Sequence, residues 1–152
     1  MNMIKVQTKA YGIIEVDKRQ EVKFPAGLFG FESVKDYVLI DAERQPFYWL
    51  QSLEADHIAF ITINPFLFRP DYELEIDDGL VKEIGVTSPE EALVFSIVTI
   101  PPSGPMTANL QGPLIINRKT RIGQQCILTD PRWKTKHDIL EELKQSGKGM
   151  QC

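Results

Sequence analysis

Ten prolines divide this 152-residue chain into short apolar runs, and their spacing limits the fold more than any other feature. Proline lacks the backbone N–H that a strand ladder needs, so each one ends a strand or lies in a turn. Residues 59–63 stop before Pro65, and residues 92–100 stop at Pro101. Many short strands at roughly even spacing are typical of a sandwich or a barrel-like roll. The pattern therefore predicts a mainly β protein.

Nine segments carry strand signals, either two-residue alternation or a run of β-branched and aromatic residues. They are residues 4–8, 11–16, 21–24, 37–40, 47–52, 59–63, 92–100, 114–117 and 124–128. We expect the first two to pair as a hairpin. We expect residues 92–100, the longest run, to form the central strand.

Helix is predicted in few places. Residues 77–84 can form two turns with an Asp as N-cap, and residues 31–36 can form one turn. Residues 135–145 can form a longer helix capped by Thr135, and we expect Trp133 to hold it against the sheet. The expected fold is a small antiparallel β-barrel-like roll with one or two short helices and a C-terminal helix. It is a single domain over residues 1–152, with a β core to about residue 130, the helix region at 131–145 and a frayed tail at 146–152.

Composition excludes several classes of protein. No apolar run reaches the roughly 18–20 residues that cross a bilayer, and the N-terminus lacks the features of a secretory signal. Two cysteines, Cys126 in a predicted strand and Cys152 at the end, do not form a disulfide framework. We expect a free, buried Cys126, no metal or other cofactor, no membrane association and a cytoplasmic location. The net charge of −4 does not fit direct nucleic-acid binding.

The charge is unevenly distributed. Residues 71–91 hold eight acids against one lysine, and residues 117–136 hold six bases against one acid. In residues 71–77, carboxylates alternate with apolar side chains, so a strand here would present all its carboxylates on one face. Such a face is either solvated or a docking edge for a basic protein. The basic residues 118–121 are expected in a hairpin turn, where they are either solvated or contact an anion.

Residues with catalytic potential form no recognisable set. Each histidine, His57 and His137, has an aspartate beside it, but neighbours in sequence point apart, and we expect both on the surface. No serine lies in a GxSxG elbow. Residues 27–31 (GLFGF) lack the pattern of a phosphate loop and predict a tight turn. The residues alone therefore point to no particular catalytic site.

Three motifs occur in a fixed order: residues 24–31 (FPAGLFGF), 46–52 (PFYWLQS) and 107–117 (TANLQGPLIIN). Together they resemble the FliW family of bacterial flagellar assembly factors. The resemblance implies a non-catalytic, barrel-like fold. It also implies that the protein binds and antagonises CsrA, an RNA-binding repressor of flagellin translation, and that it binds flagellin. Flagellin would then sequester the factor and restore repression.

The resemblance suggests positions for these contacts. CsrA is basic, so we expect the acidic residues to face it: Asp71, Glu73, Glu75, Asp77 and Asp78. Amphipathic helices of flagellin dock in apolar grooves, and the candidate contacts are Phe29, Phe31 and Phe68. The motif residues are expected to serve the fold: Phe24, Gly27, Leu28, Gly30, Phe31, Pro46, Phe47, Leu50, Gln51, Thr107, Asn109, Leu110, Gly112, Pro113, Asn117 and Gln125.

Two alternatives stay open at this point. One is a dedicated flagellin chaperone or stability factor that does not bind CsrA. The other is a hydrolase or carbohydrate-binding roll whose site lacks a recognisable motif. The acidic residues 71–78 favour the regulatory protein, since they match a basic partner.

Overall fold

A computed structural model describes residues 2–74 and 78–150, without the side chains of Asp78, Leu80, Val81 and residues 146–150. The strands are β1 (Met3–Thr8), β2 (Gly12–Asp17), β3 (Glu21–Lys23), β4 (Asp36–Asp41), β5 (Tyr48–Ser52), β6 (Ala59–Ile63), β7 (Ala92–Thr99), β8 (Thr107–Ala108), β9 (Leu114–Asn117), β10 (Gly123–Gln125) and β11 (His137–Asp138). The helices are α1 (Asp78–Glu83) and α2 (Ile139–Met150), with short 3-10 turns at Lys18–Gln20, Pro65–Leu67 and Pro89–Glu91.

One antiparallel sheet dominates the fold. Its strand order is β10-β9-β7-β6-β5-β4-β3, with β8 on β7 and β11 on β8. β1 and β2 form a separate hairpin, which packs through Val6 and Val16 against Val38 and Ile40 of β4. The prediction of a mainly β, antiparallel fold is confirmed.

The sheet curls without closing. Its two edge strands, β3 and β10, meet through a single isolated bridge between Lys23 and Ile122, where the Lys23 N–H donates to the Arg121 carbonyl at 3.0 Å. The rest of the two edges is not paired with each other in the described part of the chain. The molecule is thus an open roll rather than a barrel.

Strand predictions succeed where alternation and proline coincide. β6 and β9 have the predicted bounds, and β7 is the predicted central strand, with β6 on one side and β8 and β9 on the other. The acidic alternation at residues 71–77 forms no strand in its described part, residues 71–74. The Tyr72 N–H donates to the Arg69 carbonyl at 3.0 Å, so the chain turns here instead of extending.

The C-terminal helix begins later than predicted. Residues His137 and Asp138 form β11 on β8, and α2 starts at Ile139. The cap is Asp138, whose carboxylate accepts the Glu141 N–H at 3.0 Å, and not Thr135. The helix runs to Met150, through most of the segment expected to fray. No helix in the described residues is long and apolar enough to span a membrane.

Trp133 holds the C-terminal segment against the sheet, as predicted. It is fully buried in one core cluster with Tyr72 and Ile139, and its ring lies edge-on to Tyr72 at 4.8 Å. The guanidinium carbons of Arg69 and Arg132 lie over the indole at 4.8 and 4.9 Å. Cation–π contacts and burial therefore both stabilise the position of Trp133.

Candidate functional site

The motif at residues 107–117 forms two short strands, β8 and β9, with a bend between them. β8 and β9 both pair with the same side of β7, and the chain bends between them. The bend is built by Asn109, whose N–H donates to the Ile97 carbonyl at 2.9 Å. Its side-chain oxygen accepts the N–H groups of Gln111 and Gly112 at 3.0 and 2.9 Å. These bonds satisfy the backbone where the two strands are interrupted.

Gln125 connects this motif with the one at residues 24–31. Its amide oxygen accepts the Phe29 N–H at 2.9 Å, and its amide nitrogen donates to the Gly112 carbonyl at 2.9 Å. A Cβ at Gly112 would lie 3.1 Å from that nitrogen, so a larger residue would press on it. At Gly27, φ is +71° and a Cβ would lie 2.5 Å from the Glu32 backbone. Only glycine fits this position.

Gln51 likewise links distant backbone groups, and it lies in the motif at residues 46–52. Its side chain is buried, accepts the Lys9 N–H at 2.9 Å and donates to the carbonyls of Ser52, Asp56 and Ile58. It thereby joins the turn of the β1–β2 hairpin to the end of β5. Phe24, Leu28, Leu50 and Leu110 are core residues. The motif residues with buried side chains make their contacts inside the fold.

The acidic residues are less free than the sequence suggests. Asp71 and Glu73 are exposed, but Asp71 pairs with Arg69 at 2.8 Å and Glu73 with Arg132 at 3.2 Å. The Arg69 guanidinium holds the pKa of the Asp71 carboxyl below its usual range. Glu75 and Asp77 lie outside the described residues, and the side chain of Asp78 is also not described.

The three candidate phenylalanines do not form one surface. Phe29 and Phe31 are exposed, at 54% and 37%, on the turn that follows β3. Phe68 is 1% exposed and packs in the core cluster of Trp133, so it is not available to a partner in this structure. The sequence signal was ambiguous, because an aromatic residue beside a proline-rich turn suits either a core or a surface position.

The two histidines differ. His57 is exposed, with its ring 3.9 Å from the Asp56 carboxylate. His137 is 8% exposed, so its expected surface position is wrong. Its Nε2 accepts the Lys134 N–H at 2.9 Å and its Nδ1 lies 3.0 Å from the Glu142 carboxylate, which fixes the ring in a structural role. Among the described residues, no group of three or more His, Cys, Asp or Glu could hold a metal ion.

The predicted hairpin turn at residues 118–121 connects β9 and β10. It brings Arg118, Lys119 and Arg121 to a cavity of about 650 Å³ that Arg19 also lines. Burial and the neighbouring Arg118 lower the pKa of Arg121, whose Nε is buried without a hydrogen-bond partner in the described structure. This corner concentrates positive charge in a protein of net charge −4.

Sequence reasoning missed an apolar groove of about 480 Å³ beside the first half of β7. Its lining includes Phe66, Leu74, Val86 and Ile115, together with β7 from Ala92 to Phe95. Pro65 was the available signal, because a proline two residues after β6 indicates that β6 stops there, and β6 pairs only with the second half of β7.

Comparisons with known proteins agree with the motifs. A family model described as "FliW protein" matches residues 5–139. The flagellar assembly factor FliW of Treponema denticola is 52% identical over 146 residues, covering 95% of this chain and 99% of that protein. The one from Treponema pallidum is 47% identical over 150 residues, covering 98% and 100%. A crystal structure of the flagellar assembly factor FliW superposes with a TM-score of 0.82 at 36% identity, covering 90% of this chain and 96% of that one.

Proposed function

Because this chain belongs to the FliW family of flagellar assembly factors, we propose that it controls flagellin synthesis by binding two proteins in exchange. In this proposal it binds and antagonises CsrA, and free flagellin removes it from CsrA. We also propose a cytoplasmic location. The observation that carries the proposal is full-length similarity to flagellar assembly factors at 52% identity.

Electrostatics support the CsrA contact. A basic partner is attracted by the net charge of −4 and by the exposed carboxylates of Asp71 and Glu73, and we propose that CsrA also contacts Glu75, Asp77 and Asp78. Arg69 and Arg132 already pair with the first two, so a partner's cations must compete for them. Exposed ion pairs contribute at most about 1 kcal/mol each, and salt screens them. We therefore expect the contact to set the association rate more than the affinity.

Exposed aromatic surface supports the flagellin contact. Phe29 and Phe31 project from a turn that Gln125 holds in place, and large exposed aromatic side chains are common anchors in protein interfaces. We keep these two residues in the proposed flagellin surface and leave out Phe68, which is buried. We also propose that the protein has no enzymatic activity, since its motif residues with buried side chains are engaged in the fold.

Calorimetric titration tests both contacts. The chain is titrated with CsrA from its own organism at low and moderate salt, and again with flagellin bound beforehand. We expect binding that weakens with salt and disappears with flagellin present. Flagellin binding without any CsrA binding would contradict the exchange and support a dedicated flagellin chaperone.

A matched pair of variants tests the acidic contact. Glu73→Lys and Glu43→Lys change the charge equally, and both positions are exposed. We expect Glu73→Lys to slow CsrA association several-fold and Glu43→Lys to leave it within about twofold. Equal association rates for the two variants would remove the acidic residues from the CsrA surface.

A further inference from the structure

The turn between β9 and β10 carries positive charges that the rest of the fold does not use. It lines a cavity of about 650 Å³ together with the end of β2 and the 3-10 turn after it. The described residues of this lining are all polar or charged: Asp17, Arg19, Gln20, Arg118, Lys119 and Arg121. Four of them are cations and one is an acid, so the lining carries a net charge of +3. We call this space the basic cavity.

Asn117 holds the turn in shape. Its side-chain oxygen accepts the N–H groups of Lys119 and Thr120 at 2.9 and 3.0 Å, and its amide nitrogen donates to the Ile84 carbonyl at 2.8 Å. Its backbone carbonyl accepts the Arg121 N–H at 2.8 Å. These bonds fix the backbone that carries the basic side chains of the turn, which limits how far those side chains can separate.

Arg121 is the cation whose charge is least compensated. Its φ is +64°, a conformation that glycine adopts at little cost and other residues seldom adopt. Its side chain is half-buried, and its Nε is shielded from solvent without a hydrogen-bond partner in the described structure. Burial, and then the charge of Arg118, lower the pKa of Arg121. The fold therefore holds a partly desolvated cation near a second cation, and an anion in the cavity would stabilise both.

The single acid in the lining does not neutralise this charge. The Asp17 carboxylate binds Arg19 through both of its oxygens, at distances from 2.8 to 3.2 Å. The Arg118 Nε donates to a backbone carbonyl, that of Glu90, at 3.2 Å. In the described part of the chain, no carboxylate forms an ion pair with any of the three cations of the turn. An anion therefore does not have to displace an ion-pair partner from them.

The chemistry of the lining favours phosphate groups. None of its described residues has an aromatic or branched aliphatic side chain, so a ring or an acyl chain gains no apolar contact. Guanidinium groups match phosphate oxygens with two parallel N–H donors. A phosphate group carries a charge of about −1.5 to −2 at pH 7, so two linked phosphate groups come close to balancing the lining. The cavity volume is within the usual range for small-molecule sites, about 300–1,000 Å³.

We propose that the basic cavity binds the diphosphate group of a small phosphorylated molecule. Arg118, Lys119 and Arg121 contact the phosphate oxygens, while Arg19 adds positive charge from the opposite segment and keeps its bond to Asp17. None of the described lining residues is among those proposed to contact CsrA or flagellin. The site and the proposed function can therefore be tested separately.

Calorimetric titration of the full chain with inorganic pyrophosphate tests the site without either protein partner. Each hydrogen bond to a charged group contributes roughly tenfold or more in affinity, so contacts to three cations predict one pyrophosphate per chain with a Kd below about 1 mM. Citrate is the control, because its carboxylates are ionised at pH 7 but offer two acceptor oxygens each instead of three. We expect citrate to bind several-fold more weakly. Absence of saturable pyrophosphate binding, or equal binding of citrate, overturns the proposal.

Titration with ADP distinguishes an esterified diphosphate from free pyrophosphate. Because the lining offers the base no apolar contact, we expect ADP to bind within about threefold of pyrophosphate, as for a site that contacts only the diphosphate group. Much weaker binding of ADP would assign the same site to free pyrophosphate. Binding of ADP more than about tenfold tighter than pyrophosphate would mean that the site recognises the nucleoside, which overturns recognition by phosphate alone.

A matched pair of variants locates the binding. Lys119→Gln and Lys9→Gln each remove one positive charge from an exposed lysine, but Lys9 lies in the turn of the β1–β2 hairpin, at the opposite end from Asp17. We expect Lys119→Gln to weaken pyrophosphate binding about three- to tenfold and Lys9→Gln to change it less than about twofold. Equal effects would show that general charge attraction explains the binding, which overturns the site.

Arg121→Gln tests the least compensated cation. We expect it to weaken pyrophosphate binding about tenfold or more while the circular dichroism spectrum stays that of the parent. Unchanged affinity in this folded variant would overturn the role of Arg121 in the site. If Arg121→Gln does not fold, the comparison of Lys119→Gln with Lys9→Gln still decides the proposal, because both of those side chains are exposed.

Discussion

Replacing Gln125 with alanine tests whether the motifs stabilise the fold. The side chain bridges the Phe29 N–H and the Gly112 carbonyl, two backbone groups that are 83 positions apart in the sequence and meet only through Gln125. Alanine leaves both groups without this partner in a region where Gln125 itself is buried. A buried polar group left unsatisfied costs about 1–3 kcal/mol, so two of them predict a loss of roughly 2–6 kcal/mol in the free energy of unfolding.

The adjacent residue gives a matched control. Gln124 has the same side chain, points to the other face of β10, and makes no side-chain hydrogen bond in the described structure. We expect Gln124→Ala to change stability by less than about 0.5 kcal/mol. Urea unfolding, followed by the fluorescence of Trp49 and Trp133, measures both variants.

The same difference should appear in thermal unfolding. For a chain of this size, about 1 kcal/mol corresponds to roughly 2–4 °C in Tm, so Gln125→Ala should melt roughly 4–24 °C lower. Equal stability of the Gln125→Ala and Gln124→Ala variants would refute the reasoning, because it would show that water replaces the bridge without cost.

Three further predictions concern the core. Trp133→Ala should lower the free energy of unfolding by about 3–5 kcal/mol in urea titration, because a buried aromatic side chain packed on Tyr72 is lost. A loss under about 1 kcal/mol would contradict the anchoring role of Trp133. Burial raises the pKa of Tyr37 to about 12, and its hydroxyl has no partner in the described residues. Its contribution to stability is therefore full below pH 10 and is lost as the pH rises toward 12, so in urea titration the parent should lose stability relative to Tyr37→Phe between pH 7 and pH 11. At pH 7 Tyr37→Phe should already be at least as stable as the parent, because it removes a buried hydroxyl that has no partner in the described residues. Burial likewise raises the pKa of the Cys126 thiol to about 11. A disulfide reagent at pH 8 should therefore modify Cys126 only after urea unfolds the chain. Rapid modification of Cys126 in the folded protein, mapped by mass spectrometry, would contradict its burial.

Local pattern was sufficient where a segment's own residues specify its conformation. Alternating and β-branched residues ended by proline or asparagine gave the bounds of β6 and β9 and the central place of β7. The three motifs also carried the family resemblance, since they are read from sequence alone. These features depend on backbone geometry within a few residues, which the side chains of those residues control.

Sequence reasoning failed where contacts between distant segments decide a residue's position or partner. Asp138 caps α2 because His137 is already paired with β8, which a linear reading of residues 135–145 cannot show. Phe68 and His137 are buried by elements distant in sequence, and the carboxylates of Asp71 and Glu73 are paired by Arg69 and Arg132. Each outcome depends on which side chains meet after folding.

The sequence by itself determined most of the strands, though not β8 or β11, as well as the scarcity of helix and the family. Only the tertiary structure decided that the pairing of β6 with β7 ends at Ile63 and that an apolar groove lies beside the first half of β7. The physical reason is that a strand needs only its own residues to be extended, whereas its neighbours are set by the sheet order, which long-range pairing establishes.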